Sequence, residues 1–373
     1  MDATYTGAAL FDGTRLRDDG RLSVVAGRVC EDEGTAGPTV RLDGGYLLPG
    51  LLDLQVNGGG GHQIGGGTTV DDLAHVCATH ARLGATGILP TLITDTAETT
   101  ARIIEAGLRA ARQQVPGFLG LHLEGPHLDP RRKGAHDPAL IRPMTQDDLA
   151  RLCNAARRLP CLMVTLAPES ATPAQIAALA DAGVIVSLGH SDCSHQTAVE
   201  AIRAGAACVT HLFNAMSQLA NREPGLVGAA LTEPVHAGLI ADGIHVAPAA
   251  MQIALAASPQ RLFLVSDCMA VAGTDATELV LGGRRILRRQ GRLTLEDGTL
   301  AGADLTLPQA MATLVRDVGA PPETAFAMAT SRPAACLRRP DLGHLTPGAT
   351  ADFIHLGADF TLRGVWRAGQ RIL

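Results

Sequence analysis

Eight times between residues 47 and 270 the sequence repeats one unit: a short run rich in Val, Ile, Leu and Gly ends on a polar residue, and an Ala-, Arg- and Leu-rich stretch of helical period follows. The runs are LLPGLLDLQVN (47–57), GATGILPTLIT (84–94), FLGLHLEGP (118–126), LMVTLAPE (162–169), VIVSLGHS (184–191), CVTHLFNAM (208–216), HAGLIADGIH (236–245) and LFLVSDCMA (262–270). Near-continuous apolar strands alternating with helices require a parallel sheet covered on its outer face, and eight such units over roughly 250 residues fit a (β/α)8 barrel. An open doubly wound sheet is the alternative. The barrel is favoured because nearly every run carries its polar residues at its carboxyl end, the face on which barrel active sites assemble.

The intervening stretches carry helix punctuation. TTVDDLAHVCATHARLG (68–84) and TPAQIAALADAGV (172–184) open on Thr with Asp or Pro and stop at Gly, as capped helices do. The flanks differ: residues 1–46 and 345–373 hold short strand-like pieces (RLSVVAGRVC, ADFIHLGADF, RGVWRAGQRIL) divided by Gly and Asp turns, and these ends are expected to pair into one small β-sandwich domain. The barrel is then expected over 47–344, with ELVLGGRRILRRQGRLTLEDGTLAG (278–302) inserted as a β-ribbon near its mouth.

Composition narrows the partners. A net charge of −6 and only 3% aromatic residues give no basic field for nucleic acid or an anionic membrane. The chain has no apolar segment of spanning length, and MDATYTGAALFDGTRLRDDG lacks a basic-then-apolar leader, so the cytoplasm is the expected location. The eight scattered cysteines include no C-x-x-C pair and are expected to be free thiols.

In the third run Leu119, Leu121 and Leu123 alternate with Gly120, His122 and Glu124. If the leucines meet the helices, Glu124 points into the barrel mouth. The same parity aims His190 at the end of the fifth run, His211 in the sixth and Asp267 in the eighth. A carboxylate, two imidazoles and a further carboxylate at one mouth suit Zn²⁺ or another borderline divalent ion, with three protein ligands, an open water position and a base for that water.

The stretches PGLLDLQVNGGGG (49–61), GLHLEGPHLDPRRKGAHDP (120–138), LGHSDC (188–193), THLFNAMSQLANREPGLVGAAL (210–231), IADGIHV (240–246), LVSDCMAVAG (264–273) and GTLAGADLTL (298–307) resemble the N-acetylglucosamine-6-phosphate deacetylases of the amidohydrolase superfamily. That resemblance implies hydrolysis of the N-acetyl group of an N-acetylhexosamine 6-phosphate, with Glu124, His190 and His211 holding one divalent metal and Asp267 acting as general base and then acid. His136 would orient or polarise the acetyl carbonyl. Substrate contacts would come from Ala135, His136, Asn214, Ala215, Arg222, Asp242, Gly243, Ile244, His245, Leu300, Ala301 and Gly302. It also implies a homodimer in which Arg222 reaches the phosphate in the neighbouring site.

Many members of the superfamily carry H-x-H on the first strand and a carboxylated lysine ending the fourth, which together build a two-metal site. Here Gln55-Val56-Asn57 and LAPE stand in those places, and the only lysine, Lys133, follows Glu124 in a loop. One metal ion is therefore expected: Zn²⁺ first, with Fe²⁺, Co²⁺ or Mn²⁺ compatible with a Glu-His-His set. The galactosamine epimer, a cyclic amide hydrolase of the superfamily and a non-catalytic sugar-phosphate binding protein are the competing readings. His122 is read as a buried supporting residue, and His62 and His127 as solvated or substrate-adjacent loop residues. Cys268 is read as core, the glycine run 57–67 as a flexible lid, and RRILRRQGR (284–292) as a solvated ribbon.

Overall fold

The computed structural model describes residues 2–31 and 37–373; residues 1 and 32–36, within the amino-terminal stretch expected to join the small β domain, lie outside the described residues. Eight parallel strands follow one another in chain order around a single sheet: Leu51–Val56, Ala85–Ile93, Leu121–Glu124, Leu162–Leu166, Ile185–Leu188, Cys208–Val209, His236–Leu239 and Leu262–Leu264. A parallel bridge between Val56 and Cys268, with Asn57 N donating to Cys268 O and Asp267 N to Gln55 O, joins the eighth strand to the first. The expected barrel is the observed fold.

The leucine parity of the third strand holds. Leu121 and Leu123 are buried, and a Cβ placed on Gly107 of the helix Ala97–Arg112 would stand 2.7 Å from Leu121 Cδ1. Only glycine lets helix and strand approach so closely. On the inner face His122 donates from Nδ1 to Leu54 O at 3.0 Å, which leaves Nε2 to accept from Thr165 Oγ1 at 2.7 Å. Thr165, Thr210 and Ser187 continue this chain at 2.6 Å per link. Every member is buried, so the network ties strands three to six together beneath the mouth at little desolvation cost.

Capping boxes start several outer helices: Thr69 with Asp72, Thr145 with Asp148 and Thr172 with Gln175. Each satisfies two amide donors at a helix start. No helix among the described residues is long and apolar enough to cross a membrane.

The two chain ends form a four-stranded and a six-stranded sheet. Between them lies a separate core in which Phe353 stacks on Trp366 at 4.7 Å and Tyr5 meets both edge-on. The first run is divided: Tyr46–Pro49 pairs with Phe353–Leu356 and Ala9–Phe11 in the six-stranded sheet, and the barrel strand begins only at Leu51. The join falls at Pro49-Gly50, inside the run LLPGLL, whose leucines on both sides hide the change of sheet from a barrel start placed at 47. Residues 278–303 form a four-stranded antiparallel sheet. The arginines of its 284–292 stretch are not uniformly solvated: Arg284 donates to Ala135 O, and Arg288 pairs with Asp304 at 2.8 Å and donates to the Thr274 carbonyl.

Candidate active site

At the carboxyl ends of the strands lies a cleft of about 410 Å³. Glu124, the last residue of the third strand, enters it directly from the pleat. His190, His211 and Asp267 follow strands five, six and eight by two or three residues and have left-handed backbones, with φ of 48°, 32° and 49°. Pleat parity therefore does not aim these three; a kink just beyond each strand does. Non-glycine residues hold such conformations at a cost that the surroundings must offset.

Glu124 Oε1 lies 3.1 Å from both His190 Nε2 and His211 Nε2, and the two imidazole nitrogens are 3.0 Å apart. All three residues are buried. His190 donates from Nδ1 to Arg132 O at 2.8 Å, so in the neutral, metal-binding form of the ring Nε2 presents a lone pair toward an anionic oxygen and a second imidazole. Lone pairs crowded this way repel unless a cation lies among them, and the donor set suits a borderline divalent metal. Burial alone would raise Glu124, but the hydrogen bonds and charge of the two histidines hold it well below the usual carboxylate range. Burial disfavours charge on His211, yet the hydrogen bond and charge of Glu124 raise it; without a metal it takes the proton whose place a cation would fill.

Gln55 on the first strand and Asn57 just past its end supply amides in place of the imidazoles of two-metal relatives. Gln55 Nε2 donates to both oxygens of Glu124 at 3.2 Å, and Asn57 Nδ2 donates to Asp267 Oδ1 at 2.7 Å. These residues orient the two carboxylates, a role that sequence reading missed. The signal was present: Asp53, Gln55 and Asn57 alternate with Leu52, Leu54 and Val56, which puts polar groups on the inner face. Asp267 is pushed up to about 6, by burial first and then by the charge of Glu124, against the opposing pull of His211 and Asn57.

His136 is held from behind. Thr94 N donates to its Nδ1 at 3.3 Å, and the Thr94 hydroxyl lies 2.7 Å from the same atom. The proton therefore sits on Nε2. Burial, reinforced by the neighbouring His190, pushes the ring down to about 3, so His136 is a neutral donor. Nothing in the sequence marked Thr94 as its partner.

Of the other residues named from the sequence, Ala135, Asn214, Ala215, His245, Leu300, Ala301 and Gly302 line the same cleft. Asp242 stands behind it: its carboxylate accepts from Ile244 N and His245 N at 2.8 and 2.7 Å and from His245 Nδ1 at 2.6 Å. Gly243 and Ile244 form the turn that this carboxylate closes. Arg222 is exposed and away from the cleft, and makes no hydrogen bond or ion pair among the described residues. His127 is buried against Arg142 O at 3.1 Å, and His62 pairs with Asp72 at 2.9 Å.

A model of the amidohydrolase family matches residues 46–372. The chain is 37% identical to N-acetylgalactosamine-6-phosphate deacetylase of Shewanella sp. (strain ANA-3), over 97% of this chain and 95% of that protein. It is 33% identical to N-acetylglucosamine-6-phosphate deacetylase of Haemophilus influenzae, over 84% and 83%. The crystal structure of N-acetylglucosamine-6-phosphate deacetylase from Pasteurella multocida superimposes with a TM-score of 0.95 at 30% identity, covering 100% of this chain and 99% of that one.

Proposed function

The chain belongs to the amidohydrolase family, and from that premise we propose that it hydrolyses the N-acetyl group of N-acetyl-D-glucosamine 6-phosphate to D-glucosamine 6-phosphate and acetate. The observation that carries this reading is the convergence, in one cleft, of the Glu124–His190–His211 cluster, the carboxylate of Asp267 and the Nε2–H of a neutral His136. We take the metal to be one Zn²⁺ per chain, held by that cluster. Such an ion supplies Lewis acidity, lowering the pKa of water and polarising a carbonyl.

The residues do the rest. Asp267, fixed by Asn57, takes a proton from the attacking water and returns it to the departing amine nitrogen. His136 donates from Nε2 to the carbonyl oxygen as charge develops there, and its neutrality keeps it from competing with the cation. Asp242 fixes the tautomer of His245, whose Nε2 is left to meet the phosphate or a sugar hydroxyl. The eight cysteines carry no disulfide among the described residues, which suits a reducing cytoplasm.

The galactosamine epimer is the second reading, favoured by the name of the 37% identical Shewanella relative. Acetate release from the two epimeric 6-phosphates, measured side by side, tests both readings. Turnover of the glucosamine form at least as fast as its epimer is expected; the reverse order transfers the proposal to the epimer, and release from neither ends it.

Asp267 must be ionised to accept a proton, and its folded pKa lies above the carboxylate norm. On lowering pH, kcat/KM should therefore fall as the carboxylate protonates, with the limb at about 6 or lower, since a bound cation favours the anion. A pH–rate profile reads this directly. A limb above about pH 7 would point to an imidazole base instead.

We propose further that the enzyme is a homodimer in which Arg222 completes the neighbouring phosphate site; its exposure and freedom from partners support that role. Arg222→Ala should raise KM for the phosphorylated sugar at least about tenfold and barely change it for the unphosphorylated one. Mixed dimers of this variant with Asp267→Asn should regain one working site. Stable mixed dimers without activity would refute the shared site.

A further inference from the structure

Beside the catalytic cleft lies a second cavity of about 570 Å³, bounded by the glycine-rich loop after the first strand, the end of the second strand and the inserted sheet. Ile93 and Leu281 line both spaces. Ile93 ends the second barrel strand; Leu281, buried, comes from the inserted sheet, and both belong to the apolar cluster that seats that sheet on the mouth. Arg284, on the same sheet, ties it to the His136 loop at Ala135 O.

The deacetylase reading, on which this inference rests, decides which part of the substrate meets that wall. Strands two and six lie opposite each other in a ring of eight. Asn214 and Ala215 follow strand six and His245 follows strand seven, so the polar groups suited to a sugar and its phosphate stand on one side of the reacting centre. With nitrogen and sugar directed there, the remaining carbon substituent of the acyl group points across the barrel toward strand two. An acetyl methyl needs only an apolar surface, and a longer acyl chain needs the space behind it.

We infer that Ile93 and Leu281 set the acyl-length limit of the enzyme, closing the acyl end of the cleft at an acetyl group and shutting off a side cavity that would hold additional methylenes. Ile64, Leu92 and Leu140 give that cavity its apolar side, next to the wall, while Asp72, Asp95 and Asp137 make the rest of its lining polar, and Val280 lies at its exposed outer side.

The test compares kcat/KM for N-butyryl- and N-acetyl-glucosamine 6-phosphate in the wild-type holoenzyme and in Ile93→Ala, Leu281→Ala and the control Val280→Ala. The butyryl-to-acetyl ratio should rise at least about tenfold in either wall variant, since added methylenes change discrimination by that order, and should stay put in Val280→Ala. Ile93→Val, a smaller cut, should give a smaller rise and covers the case in which Ile93→Ala fails to fold. Unchanged ratios in folded wall variants, or an equal rise in Val280→Ala, would overturn the inference. Failure of the wild-type enzyme to release acetate would overturn the deacetylase reading instead.

Discussion

Asp267→Asn is expected to lower kcat by at least about 10²-fold, the lower end for losing a positioned acid/base, while metal content and KM stay close to wild type. The substitution is nearly isosteric, and the new side chain can still turn its oxygen to the amide of Asn57, which now donates to Asp267 Oδ1 at 2.7 Å. What disappears is the ability to take and return a proton. Asp267 is not one of the three residues whose ligand atoms cluster, so the loss should fall on kcat and not on metal affinity. Near-normal turnover in a metal-loaded variant would assign the proton shuttle elsewhere, with His136 the next group to test.

Glu124→Ala should remove both metal and activity. The carboxylate faces both imidazoles at 3.1 Å and also accepts two bonds from Gln55, so its loss takes the only anion from the cluster and strands a buried amide. Metal affinity should drop by more than the roughly 10–100-fold typical of losing a residue that merely supports a ligand. Elemental analysis should find one ion per wild-type chain and almost none in the variant. Adding metal should raise the melting temperature of the wild type only, because a ligand that binds the native state alone stabilises it. Two tightly held ions in the active wild type, or a fully loaded Glu124→Ala, would break the single-metal assignment.

Particular residues show how far reading the chain could go. Glu124 was legible because it closes a regular strand whose leucines declare their face, and Leu121 meets Gly107 as that parity requires. His190, His211 and Asp267 were reached by extending the alternation past strands that end two or three residues earlier. The structure brings them to the same cleft by left-handed kinks, which residue type alone does not announce. Gln55 and Asn57 were noticed only as missing histidines, although their inward parity was visible; their partners, Glu124 and Asp267, stand 69 and 210 positions away.

By itself the sequence determined the repeating unit, and with it the barrel, because strand and helix periodicity and capping are local and eight parallel strands have few ways to cover their faces. It also determined the chemical inventory available at the mouth: one carboxylate and two imidazoles for a cation, amides where a second metal's histidines would stand, and no lysine on strand four. Tertiary structure alone decided the division of LLPGLLDL between two sheets, the tautomer that Thr94 imposes on His136, the retreat of Asp242 behind His245, and the wall that Ile93 shares with an inserted sheet nearly 190 residues away. The reason is physical. Periodicity is encoded by near neighbours, whereas orientation, protonation and cavity shape depend on burial and on partners that only the closed barrel brings within a few ångströms.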